Sequence, residues 1–204
     1  AKFCELFADY ASKQEILQLI LSHQVKNLPL YGFGIKAFTL SMIDSALELT
    51  NHQISGQGIQ KIIDIGRDLL QKPVELLPEV EDVLQQLKGK YKVVVATKGD
   101  LKDQHRKLHD SGIGHYFHHI EVMSDKKELD YEKMLGRLDI KPDNFIMIGN
   151  SLKSDVLPVL NIGGHGYHVA YHTTWEYEKI DFEIQHDNFK SLEKITDVLP
   201  ILLQ

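Results

Sequence analysis

Apolar residues recur every three or four positions through most of residues 3–71, which is the pattern of amphipathic helices. A proline and two glycines interrupt this pattern once, and a second polar stretch interrupts it again. The interruptions fall at residues 27–34 and 51–58, and the predicted helices that follow them are residues 35–49 and 59–70. Three or four helices joined by short loops are typical of a small bundle, so residues 1–75 are predicted to form a helical domain.

Beyond Pro78 the pattern changes to short apolar runs, rich in β-branched residues, that alternate with helical stretches. The predicted strands are residues 91–97, 120–123, 145–148 and 166–171, and the predicted helices are residues 79–87, 101–110, 129–138, 152–160 and 191–202. Alternating strands and helices are typical of a parallel sheet covered by helices. Residues 76–204 are therefore predicted to form an α/β domain with a parallel sheet.

The composition narrows the class of protein. Hydrophobic residues make up 43% and charged residues 25% of the chain, which is enough apolar surface for a folded core. A net charge of -6 without a basic stripe argues against nucleic acid or an anionic membrane as a partner. Cys4 is the single cysteine, which excludes an internal disulfide, and no apolar run approaches the ~18 residues of a membrane span. We therefore expect a cytoplasmic protein, of an oligomeric state that the composition does not indicate.

Three of the predicted strands end in groups suited to phosphate chemistry. Thr97 ends the first, Lys126 lies shortly after the second, and Asn150 and Asp155 follow the third. Open parallel sheets bind ligands beyond the carboxyl ends of their strands. A hydroxyl, a cation and an amide with a carboxylate can orient a phosphoryl oxygen, neutralise its charge and hold Mg²⁺. Each residue also has a structural alternative, such as capping a helix or lying in solvent.

The order and spacing of these residues resemble the haloacid dehalogenase superfamily of phosphohydrolases. Residues 93–99, Val-Val-Val-Ala-Thr-Lys-Gly, are similar to its second motif, and Lys126 is similar to its third-motif lysine. Residues 148–155, Ile-Gly-Asn-Ser-Leu-Lys-Ser-Asp, are similar to its fourth motif. The resemblance implies a Rossmann-like parallel-sheet core domain at residues 76–204 and a helical cap domain of the C1 type at residues 1–75.

The resemblance implies specific contacts with a phosphoryl group. Thr97 would donate a hydrogen bond to a phosphoryl oxygen, and the backbone amides of Lys98 and Gly99 would donate to the same group. Lys126 would balance the negative charge of the nucleophile and of the group being transferred. The implied substrate is a small phosphorylated metabolite.

The resemblance also implies Mg²⁺ as the cofactor and a covalent mechanism. Asn150 stands where the superfamily usually has a Mg²⁺-ligating carboxylate, and Asp155 would hold a metal-bound water or the lysine. In the superfamily an aspartate attacks phosphorus, which forms an aspartyl-phosphate intermediate. A second acid two residues later protonates the leaving group and then activates water.

The first motif of the superfamily, Asp-x-Asp-x-Thr, is absent from these 204 residues. That motif belongs to the central strand of the sheet, so the predicted strands at residues 91–97 and 145–148 lack a shared neighbour and would leave apolar edges. We expect on the order of 20 or more residues before Ala1, carrying this strand, the nucleophile and the general acid.

Asn150 leaves alternative functions open. A neutral amide is a weaker Mg²⁺ ligand than a carboxylate, and metal-independent 2-haloacid dehalogenases also have a neutral fourth motif. The run Thr97-Lys98-Gly99 favours a phosphatase, because those dehalogenases usually have Ser-Asn-Gly there. A catalytically inactive binding module is a third possibility, since a fold does not determine a function.

Within the helical domain, residues 30–36 are the segment that we predict to contact substrate. Two glycines make a bend there, with the ring of Tyr31 and the charge of Lys36 on either side. A loop that contains glycines can close over a site and exclude water. The alternative is an ordinary turn between helices, with Lys36 in solvent.

Overall fold

The computed structural model describes residues 1–171 and 175–203, which contain nine α-helices and five β-strands. These residues divide into two compact units, the helical unit and the sheet unit. The helical unit comprises Ala1–Val74 and Lys98–Lys107. The sheet unit comprises Glu75–Thr97 and the described residues from Leu108 onward.

Four consecutive helices build most of the helical unit. They are α1 (Lys2–Leu6), α2 (Lys13–Tyr31), α3 (Ile35–Leu49) and α4 (Gly56–Gln71). A capping box begins α2, because the Glu15 N–H donates to Ser12 Oγ (3.3 Å) and the Ser12 N–H donates to Glu15 Oε2 (2.8 Å). The apolar faces of the helices meet in one core. Its buried residues are Phe3, Cys4, Phe7, Ile16, Ile20, Met42, Ala46 and Ile62.

The end of α2 differs from the prediction. The helix continues through Pro29, so the interruption predicted at residues 27–34 begins only after the helix ends. A proline inside a helix removes one backbone hydrogen bond. The last turns are held instead by Asn27, which is buried and donates from Nδ2 to Ser41 Oγ (3.2 Å) and to Asp44 Oδ2 (2.7 Å) of α3.

The strands form two separate sheets. They are β1 (Val94–Lys98), β2 (His119–Met123), β3 (Ile146–Gly149), β4 (His165–Val169) and β5 (Phe189–Leu192). One sheet contains β1 and β2, and the other is parallel, with β4 between β3 and β5. Among the described residues no strand pairs with both β1 and β3. The two sheets still share a core, because Val94 and Ala96 of β1 pack against the buried cluster that contains Met147 of β3.

Helices alternate with these strands. They are α5 (Val80–Leu87), α6 (Leu101–Asp110), α7 (Glu128–Leu138), α8 (Leu157–Asn161) and α9 (Leu199–Leu202). The predicted α/β fold, with a parallel sheet and a helical part, is confirmed. Of the helices that the structure describes, none has the length and hydropathy needed to cross a membrane.

The helix predicted at residues 191–202 is wrong. Ser191 lies in β5, where it is paired with His168 of β4. The chain then forms a short 3₁₀ turn, Ile195–Val198, and only Leu199–Leu202 is α-helical. Pro200 accounts for the late start, because a proline is tolerated in the first turn of a helix but not in its interior.

Candidate active site

The turn after β3 folds back so that the Asp155 side chain lies against the end of the strand. β3 ends at Gly149, and the Ser151 N–H donates to Asp155 Oδ2 over 3.0 Å. A Cβ atom at Gly149 would overlap the Asp155 side chain, so this position requires glycine. Gly149 therefore allows the buried Asp155 carboxylate to pack directly on the end of the strand.

Asp155 forms a buried ion pair with Lys126. The Lys126 Nζ atom lies 2.6 Å from Asp155 Oδ1, and the two side chains are 10% and 7% exposed. The backbone N–H of Lys126 donates to Asp125 Oδ1 (2.8 Å), which helps to hold the loop after β2. Salt screens a pair this far from solvent only weakly. The pair therefore holds a lysine ammonium group in a fixed position beside the turn after β3.

The helix predicted at residues 152–160 begins instead as a π-turn, Leu152–Val156, and becomes α-helical only in α8. Pro158 explains the difference. It has no N–H to donate to the Ser154 carbonyl four residues earlier, and its ring crowds that carbonyl. The Ser154 carbonyl accepts a hydrogen bond from the Tyr131 hydroxyl instead, at 2.9 Å. A side chain from α7 thus replaces the missing helical hydrogen bond.

The Tyr131 hydroxyl is a permanent donor to this turn. Its side chain is fully buried. Burial raises the pKa of the hydroxyl, and the negative charges of Asp155 and Glu178 raise it further. The hydroxyl therefore stays protonated, and it holds the backbone of the turn from the side of the core.

Glu178 is a candidate functional residue that sequence reasoning missed. Its Oε2 atom accepts hydrogen bonds from the Ser151 and Ser154 hydroxyls, each at 2.5 Å, and the residue is 8% exposed. The two serines lie 27 and 24 residues earlier in the chain, so no local spacing could have indicated the contact. Pro158 was the local signal that the turn departs from a helix.

Asn150 lies at the exposed part of the same turn. Its backbone carbonyl accepts a hydrogen bond from His168 Nε2 of β4 at 3.1 Å. Its side-chain amide makes no hydrogen bond to any residue that the structure describes. The backbone is therefore anchored while the amide oxygen is available to a ligand.

Thr97, Lys98 and Gly99 lie at the end of β1. Gly99 has a φ of 135°, a conformation that favours glycine. Thr97 belongs to the sheet unit, whereas Lys98 and Gly99 belong to the helical unit. The Lys98 ammonium lies 3.9 Å from the centroid of the Phe33 ring, which is a cation–π contact. The contacts of these residues with a phosphoryl group stay a prediction.

The bend between α2 and α3 packs against the segment that follows β1. The Lys36 Nζ atom lies 3.1 Å from Asp100 Oδ1, and a Cβ atom at Gly34 would overlap Asp100. Tyr31, at the end of α2, is 53% exposed. Lys36 is thus part of an ion pair within the helical unit, and substrate contact by Tyr31 and Lys36 stays a prediction.

The turn after β3 can supply part of a Mg²⁺ site. Asn150 offers a neutral oxygen, and Asp155 has further lone pairs although Lys126 and the Ser151 N–H already contact its two oxygens. In residues 1–171 and 175–203, no three His, Cys, Asp or Glu side chains cluster as a metal site would require. Mg²⁺ takes much of its shell from water and phosphate, so these oxygens fit a site that gains a carboxylate from another segment.

Similar proteins include both phosphatases and dehalogenases. A curated relative, the glyceraldehyde 3-phosphate phosphatase of Methanothermobacter thermautotrophicus, is 33% identical over 92 residues, which are 42% of this chain and 41% of that protein. A haloacid dehalogenase-like family hydrolase from Xanthomonas campestris has a TM-score of 0.84 at 35% identity, over 99% of this chain and 80% of that one. The 2-haloacid dehalogenase of Pseudomonas syringae shares the fold, with a TM-score of 0.61 at 13% identity over 98% of this chain and 89% of that one.

A family model covers most of the chain. Residues 12–163 match the model of haloacid dehalogenase-like hydrolases. The matched range contains Thr97, Lys126 and the turn from Gly149 to Asp155, which carry the resemblance in the sequence. This chain therefore belongs to the haloacid dehalogenase-like hydrolase family.

Proposed function

We propose that this protein is a Mg²⁺-dependent phosphatase that hydrolyses a small phosphate monoester through an aspartyl-phosphate intermediate. The observation that carries the proposal is the buried Lys126–Asp155 ion pair on a turn where the Asn150 side chain makes no hydrogen bond to a described residue. A fixed cation beside oxygen ligands is suited to a phosphoryl group and Mg²⁺. The relative named as a glyceraldehyde 3-phosphate phosphatase supports the same class of reaction.

In this proposal four residues of the sheet unit act on the phosphoryl group or on Mg²⁺. Lys126 neutralises charge on the phosphoryl oxygens and on the attacking carboxylate, and Asp155 keeps its ammonium group in place. Thr97 donates its hydroxyl to a phosphoryl oxygen. Asn150 would hold Mg²⁺ through its amide oxygen, and Asp155 would hold a metal-bound water. When bound, Mg²⁺ offsets the negative charge of the phosphoryl oxygens.

No Asp-x-Asp occurs among residues 1–204, so we propose that the attacking aspartate belongs to another part of the protein. We propose that it follows a strand that precedes Ala1 and pairs with both β1 and β3. Each of these strands has one paired neighbour in the described part of the chain, so such a strand would join the two sheets into one. Its carboxyl end would then bring the aspartate beside Lys126. Intact mass of the protein purified from its source tests this, and a mass of 23.3 kDa would contradict it.

The reaction is tested by comparing two products. We expect phosphate release from p-nitrophenyl phosphate in Mg²⁺ and no chloride release from 2-chloropropionate. A panel of sugar phosphates, nucleotides and flavin mononucleotide would then identify the preferred ester. Chloride release without phosphate release would refute the phosphatase proposal.

The neutral side chain of Asn150 favours one alternative, a metal-independent 2-haloacid dehalogenase. Such an enzyme would release chloride equally well in EDTA, because a neutral amide is a weak Mg²⁺ ligand. A catalytically inactive binding module is the other alternative. It would release neither product but would still bind a phosphorylated ligand, which calorimetry detects.

A further inference from the structure

Glu178 ends a 3₁₀ turn, Glu176–Glu178, in the segment after β4. Its carboxylate oxygen Oε2 accepts the hydroxyls of Ser151 and Ser154 at 2.5 Å each, and the Ser151 Oγ atom in turn accepts the Ser154 N–H at 2.9 Å. A hydroxyl that donates to a carboxylate forms a hydrogen bond about twice as strong as one that donates to a neutral acceptor. We name the three residues Ser151, Ser154 and Glu178 the serine–glutamate cluster.

The turn after β3 depends on such contacts more than an ordinary helical turn would. Pro158 disrupts its hydrogen bonding, and the Val156 N–H reaches back five residues to the Ser151 carbonyl at 3.2 Å. The turn is therefore fixed largely by side chains from other parts of the chain. Tyr131 holds its backbone at Ser154, and Glu178 holds both serine hydroxyls.

A second contact brings the same two segments together. The Lys153 Nζ atom donates to the Tyr177 carbonyl at 2.8 Å and lies 3.7 Å from the centroid of the Tyr177 ring. This contact is at the surface and is open to water, whereas Glu178 is buried. The serine–glutamate cluster is therefore the part of the contact that fixes the position of the turn.

A shift of the serine–glutamate cluster would move Asn150 and Asp155, because both are bonded to its serines along the chain. Ser151 follows Asn150 in the chain, and the Ser151 N–H donates to Asp155 Oδ2. Ser154 precedes Asp155, so both serines held by Glu178 are neighbours of a residue proposed to act on Mg²⁺. Partners of this kind orient metal ligands and commonly change metal affinity or activity by about 10–100-fold when they are removed.

We infer that Glu178 is a positioning residue of the active site: by accepting the hydroxyls of Ser151 and Ser154, it sets the places of Asn150 and Asp155 and so determines affinity for Mg²⁺. The inference rests on the proposed phosphatase function for the part that concerns Mg²⁺. The part that concerns the turn stands on the hydrogen bonds alone.

The test uses the whole protein, with the segment that we propose to precede Ala1, and four substitutions. Glu178→Ala removes both hydrogen bonds, and Glu178→Gln keeps an oxygen that can accept them but removes the charge. Glu176→Ala and Glu176→Gln are matched controls, because the Glu176 side chain lies on the same turn, is 64% exposed and, among the described residues, forms an ion pair with Lys179 alone. Four quantities are measured below the unfolding temperature of each variant: backbone amide exchange at residues 150–156, the Mg²⁺ dissociation constant by calorimetry, and kcat and KM with p-nitrophenyl phosphate.

We expect Glu178→Ala to speed amide exchange at residues 150–156, to weaken Mg²⁺ binding by about tenfold or more and to lower kcat more than it changes KM. Glu178→Gln should restore amide protection and bring Mg²⁺ affinity to within about tenfold of the wild type. The Glu176 variants should match the wild type in all four quantities.

Two outcomes would overturn the inference. In one, Glu178→Ala lowers the unfolding temperature while exchange at residues 150–156 and Mg²⁺ affinity match the Glu176→Ala control, which would make Glu178 a purely structural residue. In the other, Glu178→Gln is as defective as Glu178→Ala in amide protection, which would show that the acceptor oxygen does not fix the turn. If the wild type neither binds Mg²⁺ nor releases phosphate, the proposed function fails, and amide exchange alone decides whether Glu178 positions the turn.

Discussion

Replacing Lys126 with methionine removes one partner of the buried ion pair and keeps most of the length of the side chain. At a separation of 2.6 Å, with an effective dielectric constant of about 20, the attraction is about 6 kcal/mol before desolvation. Desolvation of two charges offsets most of this attraction, so the pair as a whole contributes little. The single substitution is different, because it leaves the Asp155 carboxylate, 7% exposed, without its counter-charge. We expect Lys126→Met to lower the free energy of unfolding by about 3–5 kcal/mol.

A double-mutant cycle separates the interaction energy between Lys126 and Asp155 from the contributions of their other contacts. Asp155→Asn leaves the Lys126 ammonium uncompensated, whereas the double variant Lys126→Met/Asp155→Asn removes both charges. The double variant should be less destabilised than the sum of the single variants by about 2–3 kcal/mol. Lys127→Met is the matched control, because that neighbouring side chain is 71% exposed and pairs with Asp125 at the surface. We expect no measurable change in its stability.

Urea unfolding followed by circular dichroism measures these free energies, and the slope against urea checks that each variant unfolds in the same way. Two results would refute the reasoning. One is a Lys126→Met variant as stable as Lys127→Met, since a buried Asp155 carboxylate without a counter-charge has to be destabilising. The other is additivity of the two single substitutions to within about 0.5 kcal/mol, since it would show that the charges are not coupled.

Three further substitutions test other parts of the structure. Gly149→Ala places a methyl group against a packed acidic side chain, so urea unfolding should show a loss of about 1–3 kcal/mol. Burial raises the pKa of Asp103, but hydrogen bonds from Lys107 and Arg106 outweigh it and hold the pKa below its ordinary value. This stabilisation is present above about pH 4 and is lost as the pH falls through the lowered pKa, so Asp103→Asn should destabilise more at about pH 6 than at about pH 2. Lys36→Ala removes a charge beside the segment after β1, and it should raise KM for an anionic substrate more than it lowers kcat.

For each of these three substitutions, one result would contradict the expected effect. A Gly149→Ala variant with wild-type stability would show that there is room for a side chain at the end of β3. An Asp103→Asn variant equally destabilised at both pH values would show that its ionisation does not stabilise the fold. An unchanged KM for Lys36→Ala would remove Lys36 from the substrate site.

Local pattern was sufficient where an element is specified by its own residues. The helices α3 and α6 have the predicted bounds, because their apolar positions repeat with helical spacing between clear breaks. The strand β3 and the polar turn after it were also predicted, since an uncharged run followed by glycine is typical of a buried strand end. The contact of Lys126 with Asp155 was implied by the resemblance to the superfamily rather than by local pattern.

Local pattern failed where distant contacts decide the structure. Ser191 resembles a helix cap, but pairing with β4 places it in a strand. Pro29 resembles a helix end, but the contacts of Asn27 with α3 hold the helix beyond it. Glu178 has no signal in the sequence, because its partners lie more than twenty residues away and its role depends on the π-turn that Pro158 causes.

Phosphate release from p-nitrophenyl phosphate, measured in Mg²⁺ and in EDTA for the wild type and the two lysine variants, tests the proposed function most directly. We predict that phosphate release requires Mg²⁺, persists in Lys127→Met and falls about 100-fold or more in Lys126→Met at temperatures where that variant is folded. Phosphate release that is equally fast in EDTA, or that Lys126→Met leaves unchanged, would contradict a Mg²⁺-dependent phosphatase built around the Lys126–Asp155 pair.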